Sequence, residues 1–266
     1  MECVERQIAF VRTNKLNDPF DPNFDIAPDF DYSAFLEYVK NNKPRAEYEE
    51  LERRPSQEKF ERAKTGLDEK MKKRKESTFV FSTCEASDPH PRDNLYMWGH
   101  YANGHRGVAI EFNSETLTQA VLTQNKELNG GKVSEDNVWW KIEYFGKFPK
   151  ITCPMFYDFW VKGIEKELES HIEQVINSKS DFWEKEKEWR FVRFNDETMQ
   201  SVWRTSIQDN TITAVYLGCR INEMEEKKII SATARHFPNA KIFKAAKRTG
   251  EFALDFEERS PSARQP

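Results

Sequence analysis

The chain has 266 residues, which allows one large domain or two small ones with a sizeable hydrophobic core. Lysine and arginine nearly balance aspartate and glutamate, so the formal net charge is −4. A protein that binds nucleic acid through its overall charge is usually basic, and the composition gives no support to that class. No apolar run approaches the roughly 20 residues that span a bilayer, and the N-terminus has no apolar signal segment.

The cysteines lack the paired spacing that is typical of zinc sites. They are scattered at Cys3, Cys84, Cys153 and Cys219. We therefore expect reduced thiols in a cytoplasmic protein that does not associate with membranes.

The first third of the chain predicts two strands separated by helices. Residues 6–12 and 77–84 have the short apolar pattern of strands, and residues 31–42 that of a helix. Residues 44–76 are strongly charged with sparse apolar positions. They predict one or two amphipathic helices, interrupted near Pro55, that form an insertion lying over the main fold.

The remaining sequence alternates strands and helices without a regular βαβ period. Predicted helices cover residues 94–105, 114–125, 156–177 and 221–237. Predicted strands cover residues 106–112, 138–145, 188–194, 211–218, 240–247 and 251–256. Residues 128–137 are rich in turn-forming residues, and residues 258–266 are expected to be a disordered tail. The pattern predicts one α+β domain over residues 1–257 with a mixed, mostly antiparallel sheet.

Metal-ligating residues do not form a convincing set. His90, His100 and His105 lie in one short window, but the last two lack the i, i+4 spacing of a helical zinc site. We interpret them as structural histidines and predict no metal.

Two segments carry candidate chemistry. Ser82 and Thr83 end a predicted strand on adjacent hydroxyls, which suit either a ligand or a neighbouring strand. Glu184, Glu186 and Glu188 share one face if the next strand starts early, and partly desolvated like charges are costly. Either the segment is a solvated acidic turn or the carboxylates serve a site, with Arg190 available to pair with one of them.

Four segments together resemble an uncharacterised bacterial family. They are LNDPFD at 16–21, FS at 81–82, NLYMWGHYANGHRGVAIEF at 94–112 and KSDFWEKEKEWR at 179–190. The family's signature combines an NDPFD loop, an FS strand end, an MWxHYAxxHxGV(A/C)IxF block and a KxxxWxxExEWR block. The resemblance extends over most of the chain, but the family's name implies no function.

A fainter resemblance links the Ser-Thr strand and the Glu-x-Glu element to ADP-ribosyltransferases. It implies that NAD is a substrate, that Glu188 is the catalytic carboxylate and that Glu186 activates the target. It also implies that Ser82 and Thr83 support the NAD site. Further candidate NAD-binding residues are Arg12 for a phosphate and, for the pocket wall, Trp98, His100 and Tyr101. The chain departs from the family pattern at Cys84, where the third position of the Ser-Thr-Ser element should be serine, and in its short N-terminal segment.

Two other functions remain open at the level of the sequence. A nuclease-type effector would place Asp18, Asp21, Glu111 and Glu186 or Glu188 around a divalent ion. A non-catalytic module would bind a partner through the charged helices of residues 44–76. By analogy, the transferase function predicts an effector in bacterial conflict, such as a toxin or phage-defence component, that modifies a nucleic acid or a protein. An antitoxin or other regulatory partner would fit that setting.

Overall fold

A computed structural model gives the conformation of residues 6–22, 30–53, 57–87, 90–128, 139–194 and 201–259, with only the backbone described at 125–128. Eight α-helices lie within these ranges: α1 (Tyr32–Asn42), α2 (Arg45–Arg53), α3 (Gln57–Ser77), α4 (Leu95–His100), α5 (Ser114–Leu128), α6 (Cys153–Trp160), α7 (Lys166–Ile176) and α8 (Glu223–His236). The strands of the same ranges are β1 (Gln7–Arg12), β2 (Thr78–Cys84), β3 (Val108–Phe112), β4 (Trp139–Lys141), β5 (Glu143–Phe145), β6 (Ser178–Ser180), β7 (Glu188–Phe194), β8 (Val202–Ser206), β9 (Ile212–Leu217), β10 (Lys241–Lys247) and β11 (Leu254–Glu258).

The largest sheet has five antiparallel strands in the order β4-β7-β2-β1-β8. Its central pair, β2 and β7, runs in register from Thr78 opposite Phe194 to Cys84 opposite Glu188. Ser82 therefore lies opposite Arg190, and Ser82, Cys84, Glu188 and Arg190 share one face of the sheet.

Two smaller sheets complete the β-structure of the described residues. The first has four strands in the order β11-β10-β9-β3, in which only β9 and β10 pair in parallel. The second is a parallel pair of β5 and β6, with Tyr144 opposite Lys179. The α+β class with mixed and mostly antiparallel pairing is confirmed.

Apolar clusters cover both faces of the five-stranded sheet. One face shares a cluster with the four-stranded sheet, which includes Phe10, Phe79, Phe191, Val215, Leu217 and Ile242. The other face is covered by helices, whose buried side chains include Phe35, Phe60, Leu67, Met71, Phe156 and Ile172. Burial of this much apolar and aromatic surface is the main term that stabilises the layers.

Helices α2 and α3 contain most of the described residues of the charged segment 44–76, which the sequence predicts to be helical. The predicted interruption at Pro55 lies outside the described residues. Phe60, Leu67 and Met71 are almost fully buried against α1, α6 and α7, so that α3 is part of the helical layer. The helix is charged because only one narrow stripe faces the core.

Several predicted boundaries were wrong for identifiable reasons. The predicted long helix at 156–177 is two helices, α6 and α7, separated by a segment in which Gly163 has φ +65°. The predicted helix at 94–105 ends at His100, because residues 103–105 adopt left-handed conformations. The predicted strand at 138–145 divides into β4 and β5, which pair with different strands.

The C-terminal boundary also lies later than predicted. Glu258 pairs with Phe243 inside β11, and the amide of Arg259 donates to the carbonyl of Ile242 at 2.7 Å. The rest of the predicted tail, residues 260–266, lies outside the described residues. Among the described helices, none has both the length and the apolar character needed to cross a membrane.

Candidate functional site

Three of the sequence motifs meet at one end of the β2–β7 pair. Asp21 comes from the NDPFD loop, Tyr101 from the MWxHYA block, and four residues come from the KxxxWxxExEWR block. We call Asp21, Lys179, Glu186, Glu188 and Arg190 the carboxylate cluster. All five side chains are at least nine-tenths buried.

The conformation of the glutamates differs from the prediction of a shared strand face. Residues Asp181–Glu186 form a 3-10 helix, in which the Ser180 side chain accepts from the amide of Phe182 at its start. Lys187 then adopts a left-handed conformation, with φ 46° and ψ 50°, and β7 begins at Glu188. This turn brings Glu186 and Glu188 together, whereas Glu184 is exposed to solvent.

Lys179 lies where the three carboxylates converge. Its Nζ donates to Oε2 of Glu186 at 2.6 Å and to Oε2 of Glu188 at 2.9 Å, and it lies 3.4 Å from Oδ2 of Asp21. It also lies 5.4 Å from the centre of the Trp183 ring. The ammonium group thus takes the central position that a cation must hold if the carboxylates are to remain ionised in a buried site.

Arg190 holds the other side of the cluster. Its Nε donates to Oε1 of Glu188 at 2.6 Å, and its Nη2 donates to Oδ2 of Asp21 at 2.5 Å and to Oε2 of Glu188 at 3.1 Å. Its Nη1 donates to the carbonyl of Ile176 at 3.0 Å. Such a bidentate arrangement fixes both the position and the orientation of the Glu188 carboxylate.

Protonation states in the cluster follow from these contacts. Burial alone would raise the pKa of Glu188, but Arg190, Lys179 and a hydrogen bond from Ser82 outweigh it and lower the pKa to about 2. Burial alone would lower the pKa of Lys179, but the carboxylates around it raise that pKa above its usual range. Glu188 and Lys179 are therefore both charged at neutral pH. The cluster contains three carboxyl groups and two cations.

Two tyrosines complete the hydrogen bonding of the cluster. The hydroxyl of Tyr101 donates to Oε1 of Glu186 in a short hydrogen bond. The hydroxyl of Tyr144 accepts from the amide of Glu188 at 2.8 Å. Burial, followed by the nearby carboxylates, raises the pKa of Tyr144 to about 12, and burial with the bond to Glu186 also raises the pKa of Tyr101. Both phenols remain neutral in the physiological range.

An open pocket of about 350 Å³ lies beside the cluster, within the size range of small-ligand sites. Its lining includes Cys84, Ser87, Asn94, Tyr96, Lys185 and Glu186. Among the described residues of the carboxylate cluster, Glu186 is the one that lines this pocket. The pocket is therefore bounded in part by Glu186, a buried residue whose carboxylate is held by Lys179 and Tyr101.

Asn94 connects the two walls of the pocket. Its Oδ1 accepts from the amides of Tyr96 and Met97 at the start of α4, at 3.1 and 3.4 Å. Its Nδ2 donates to the carbonyl of Lys185 at 2.9 Å. An N-cap side chain that also bonds to the opposite wall holds α4 against the turn that carries Glu186.

Aromatic side chains flank the same turn. The rings of Tyr96 and His100 are 4.3 Å apart, and both lie within about 6 Å of the Trp183 ring. Of the predicted wall residues, His100 and Tyr101 are exposed beside Glu186. Trp98 is buried instead, because its Nε1 donates to the carbonyl of Arg92 and its ring stacks on His105.

The remaining predicted ligand-binding residues lie at different distances from the pocket. Ser82 contacts Glu188, and Thr83 Oγ1 donates to the carbonyl of Trp189 at 3.3 Å. The Arg12 guanidinium lies over Phe79, near the start of β2 and away from the Ser82 end of that strand. Cys84 lies opposite Glu188, and burial together with Glu186 and Glu188 raises the pKa of its thiol.

The residues of the nuclease hypothesis come together only in part. Asp18 Oδ1 accepts from the amide of Phe20 within the NDPFD turn. Glu111 lies on β3, where it accepts from Thr213 and Tyr216 at 2.7 Å each. Asp21, Glu186 and Glu188 do meet, but Lys179 lies between them. Within the described ranges, no three His, Cys, Asp or Glu side chains are grouped so that they could hold a metal ion.

The roles of Lys179 and Tyr144 were not predicted from the sequence. Lys179 is the first residue of the KxxxWxxExEWR motif, so a signal existed, but its contact with both glutamates depends on the turn at Lys187. Tyr144 lies outside the quoted motifs and reaches Glu188 only because β5 pairs with β6.

The comparison with family models identifies one relationship. Residues 97–191 match the family described as "Protein of unknown function (DUF2971)", which confirms the resemblance to an uncharacterised family over that part of the chain. The matched segment contains Tyr101, Lys179, Glu186, Glu188 and Arg190, but not Asp21 or Ser82. No curated protein and no solved structure matches the chain.

Proposed function

We propose that this chain, whose residues 97–191 match a family of unknown function, is an ADP-ribosyltransferase-like enzyme that uses NAD as its substrate. One observation carries the proposal: Glu186 belongs to the buried carboxylate cluster and also lines an open pocket of about 350 Å³. The neighbouring Ser82 and Glu188, on adjacent strands, fit the Ser-Thr and Glu-x-Glu elements that the sequence predicts.

The chemistry of NAD cleavage suits a fixed carboxylate. When the bond between the ribose C1′ and the nicotinamide nitrogen breaks, the electron pair leaves with nicotinamide, and positive charge develops on C1′ and the ring oxygen. A carboxylate beside that carbon stabilises the transition state more than the ground state. Because Glu186 is already oriented, little reorganisation is needed when the charge develops.

The contacts assign different roles to the two glutamates. Lys179 and Tyr101 each donate a hydrogen bond to one oxygen of Glu186. Glu188 has both oxygens engaged by Arg190 and Lys179 and lies behind Glu186. We therefore assign the position at the reacting ribose to Glu186, and to Glu188 the positioning of Lys179. This assignment moves the catalytic role from Glu188, to which the resemblance gives it, to Glu186.

The proposed reaction balances without a metal or a redox partner. An acceptor hydroxyl, amine or water attacks C1′, nicotinamide leaves, and the acceptor's proton passes through Glu186 to solvent. The products are the ADP-ribosylated acceptor, or ADP-ribose when water attacks, together with nicotinamide. Lys185 in the pocket lining supplies a positive charge for the diphosphate.

The biological setting belongs to the proposal as well. By analogy with the superfamily that the motifs resemble, we propose an effector of bacterial conflict, a toxin or phage-defence component, that acts in the cytoplasm under the control of a partner protein.

The direct test is release of nicotinamide from NAD by the purified chain. We expect release by the unaltered protein and a loss of at least about a hundredfold in Glu186→Gln, since removal of one preorganised electrostatic contact costs about that much. Activity should persist in EDTA. If neither hydrolysis nor transfer to cell-extract acceptors occurs at millimolar NAD, the proposal is wrong.

A further inference from the structure

We propose that the exposed aromatic rings beside the carboxylate cluster bind a single-stranded nucleic acid, which is then the acceptor of ADP-ribose. This inference names the target class of the proposed function and, in its second part, rests on that function. The surface comprises Phe20, Phe148 and Phe182 with the lysines of the two segments 145–150 and 181–187. We call it the aromatic surface.

The aromatic surface contains three phenylalanine rings that are exposed to solvent. Phe20, Phe148 and Phe182 have 60%, 43% and 67% of their surface exposed, although large apolar side chains are usually buried. The rings of Phe20 and Phe148 lie 6.2 Å apart, and Phe182 packs edge-on against Trp183 at 5.1 Å. Several exposed rings on one surface mark a site of interaction.

The topology brings these rings to the edge of the candidate site. Strands β5 and β6 run in parallel and end side by side at Phe145 and Ser180, so the segments that follow them leave together. A side chain at Gly146 would lie 3.3 Å from the carboxylate of Asp181, which confirms how closely these segments run. Phe20 precedes Asp21 of the carboxylate cluster.

The charge of the aromatic surface favours a polyanion over an average protein partner. Its exposed cations are Lys147, Lys150, Lys185 and Lys187, whereas its exposed anions are Asp181 and Glu184. The excess is positive on a chain whose formal net charge is −4. Lysines that alternate with exposed rings contact successive phosphates while the rings stack on bases.

A duplex does not fit this chemistry, because its bases are stacked on each other and unavailable to the rings. In a single strand each base has a free face, and stacking is tolerant of sequence. Lys185 and Lys187 of the aromatic surface also line the pocket to which Glu186 contributes. A base or a sugar hydroxyl held on this surface would then lie beside that pocket, where the proposed reaction needs its acceptor.

The test is fluorescence anisotropy with a labelled mixed-sequence 20-nucleotide RNA and the matching DNA, both single-stranded and as duplexes, without NAD. We expect saturable binding of a single strand, at least tenfold tighter than of its duplex. Phe148→Ala and Phe182→Ala should each weaken binding roughly fivefold to a hundredfold. The fully exposed ring of Phe252 serves as the matched control, and Phe252→Ala should leave binding unchanged.

Substitutions of charged residues distinguish the stacking of bases on the rings from the electrostatic attraction of phosphates. Lys147→Gln should lower the slope of log affinity against log salt by roughly 0.7, the value for one phosphate contact on a single strand. Glu184→Gln should strengthen binding, since it removes a like charge. Circular dichroism of each variant establishes that it is folded.

The outcomes are distinct from those of the proposed function. Single-strand binding without nicotinamide release would support the aromatic surface while refuting the transferase. Nicotinamide release with no oligonucleotide binding, with equal binding to duplex, or with binding unaffected by Phe148→Ala and Phe182→Ala would refute the inference alone. Transfer of ADP-ribose to proteins but not to oligonucleotides would also overturn it.

Discussion

Glu188 shows how one side chain links the stability of the chain to the chemistry of its site. Its carboxylate is almost fully buried, yet it is ionised because Arg190 and Lys179 contact both oxygens. Breaking such a buried pair leaves an uncompensated charge, which usually costs about 3–5 kcal/mol. Glu188 is therefore expected to contribute to folding as well as to the orientation of Lys179.

The pKa of Glu188 predicts how stability depends on pH. The pKa is about 2 in the folded chain against an ordinary value of 4.5, so the unfolded chain binds more protons between these values. The contribution of this carboxylate, about 3 kcal/mol, is present above pH 4.5 and is lost as the pH falls towards 2. Urea denaturation at several pH values should show this loss in the unaltered chain.

The Glu188→Gln variant provides the comparison for this prediction. It should be less stable at pH 7, and its stability should fall less steeply below pH 4.5. A variant that loses stability over this range as steeply as the unaltered chain would show that Glu188 is not the group responsible.

At the scale of elements, the turn between the two glutamates depends on one backbone conformation. Lys187 has φ 46°, which costs a residue with a Cβ about 1–2 kcal/mol and a β-branched residue more. We expect Lys187→Gly to be nearly neutral in chemical denaturation and Lys187→Val to destabilise the chain by at least about 1 kcal/mol.

A matched control separates this effect from the loss of a lysine. Lys185 lies in the same turn, and its φ is not positive. Lys185→Val should therefore cost less than Lys187→Val. Equal losses in both variants would contradict the role of the left-handed conformation.

The elements also show which parts of the fold were predictable from the sequence. Strands with strong apolar patterns, such as β2, β7 and β9, were found because periodicity reports burial directly. Strand β8 was missed because Thr205 is its only fully buried residue, so the edge strand has little apolar signal. The division of residues 138–145 between two sheets depends on pairing partners, which no local pattern encodes.

The same distinction applies to the site. Sequence spacing identified Glu186, Glu188 and Arg190 as an associated group, and the structure brings them together. The expected geometry was wrong, because a strand was assumed where a 3-10 helix and a left-handed residue occur. The central position of Lys179 and the contact from Tyr144 required the parallel β5–β6 pair, which is a tertiary feature.

At the scale of the whole molecule, the helical layer is expected to unfold together with the sheets. Phe60 of α3 is fully buried and contacts the rings of Phe35, Phe156 and Trp160. Phe60→Ala should lower the free energy of unfolding by about 3–5 kcal/mol, since it leaves a large cavity. Phe252→Ala, at a fully exposed ring, should change it by less than about 0.5 kcal/mol.

Two probes establish whether the helical layer and the sheets unfold in one cooperative transition. Tryptophan fluorescence and far-ultraviolet circular dichroism should give coincident denaturation curves, in both the unaltered chain and Phe60→Ala. A separate early transition in helical signal would mean that part of the helical layer unfolds before the sheets.

We propose that Glu186 lies at the ribose of bound NAD and that the carboxylate cluster fixes its orientation. The most direct measurement is the rate of nicotinamide release from NAD by the unaltered chain, by Glu186→Gln and by Glu188→Gln, with folding checked by circular dichroism. We predict release by the unaltered chain and a loss of at least about a hundredfold in folded Glu186→Gln. Equal release by the unaltered chain and folded Glu186→Gln, or no release by any of the three, would contradict the account.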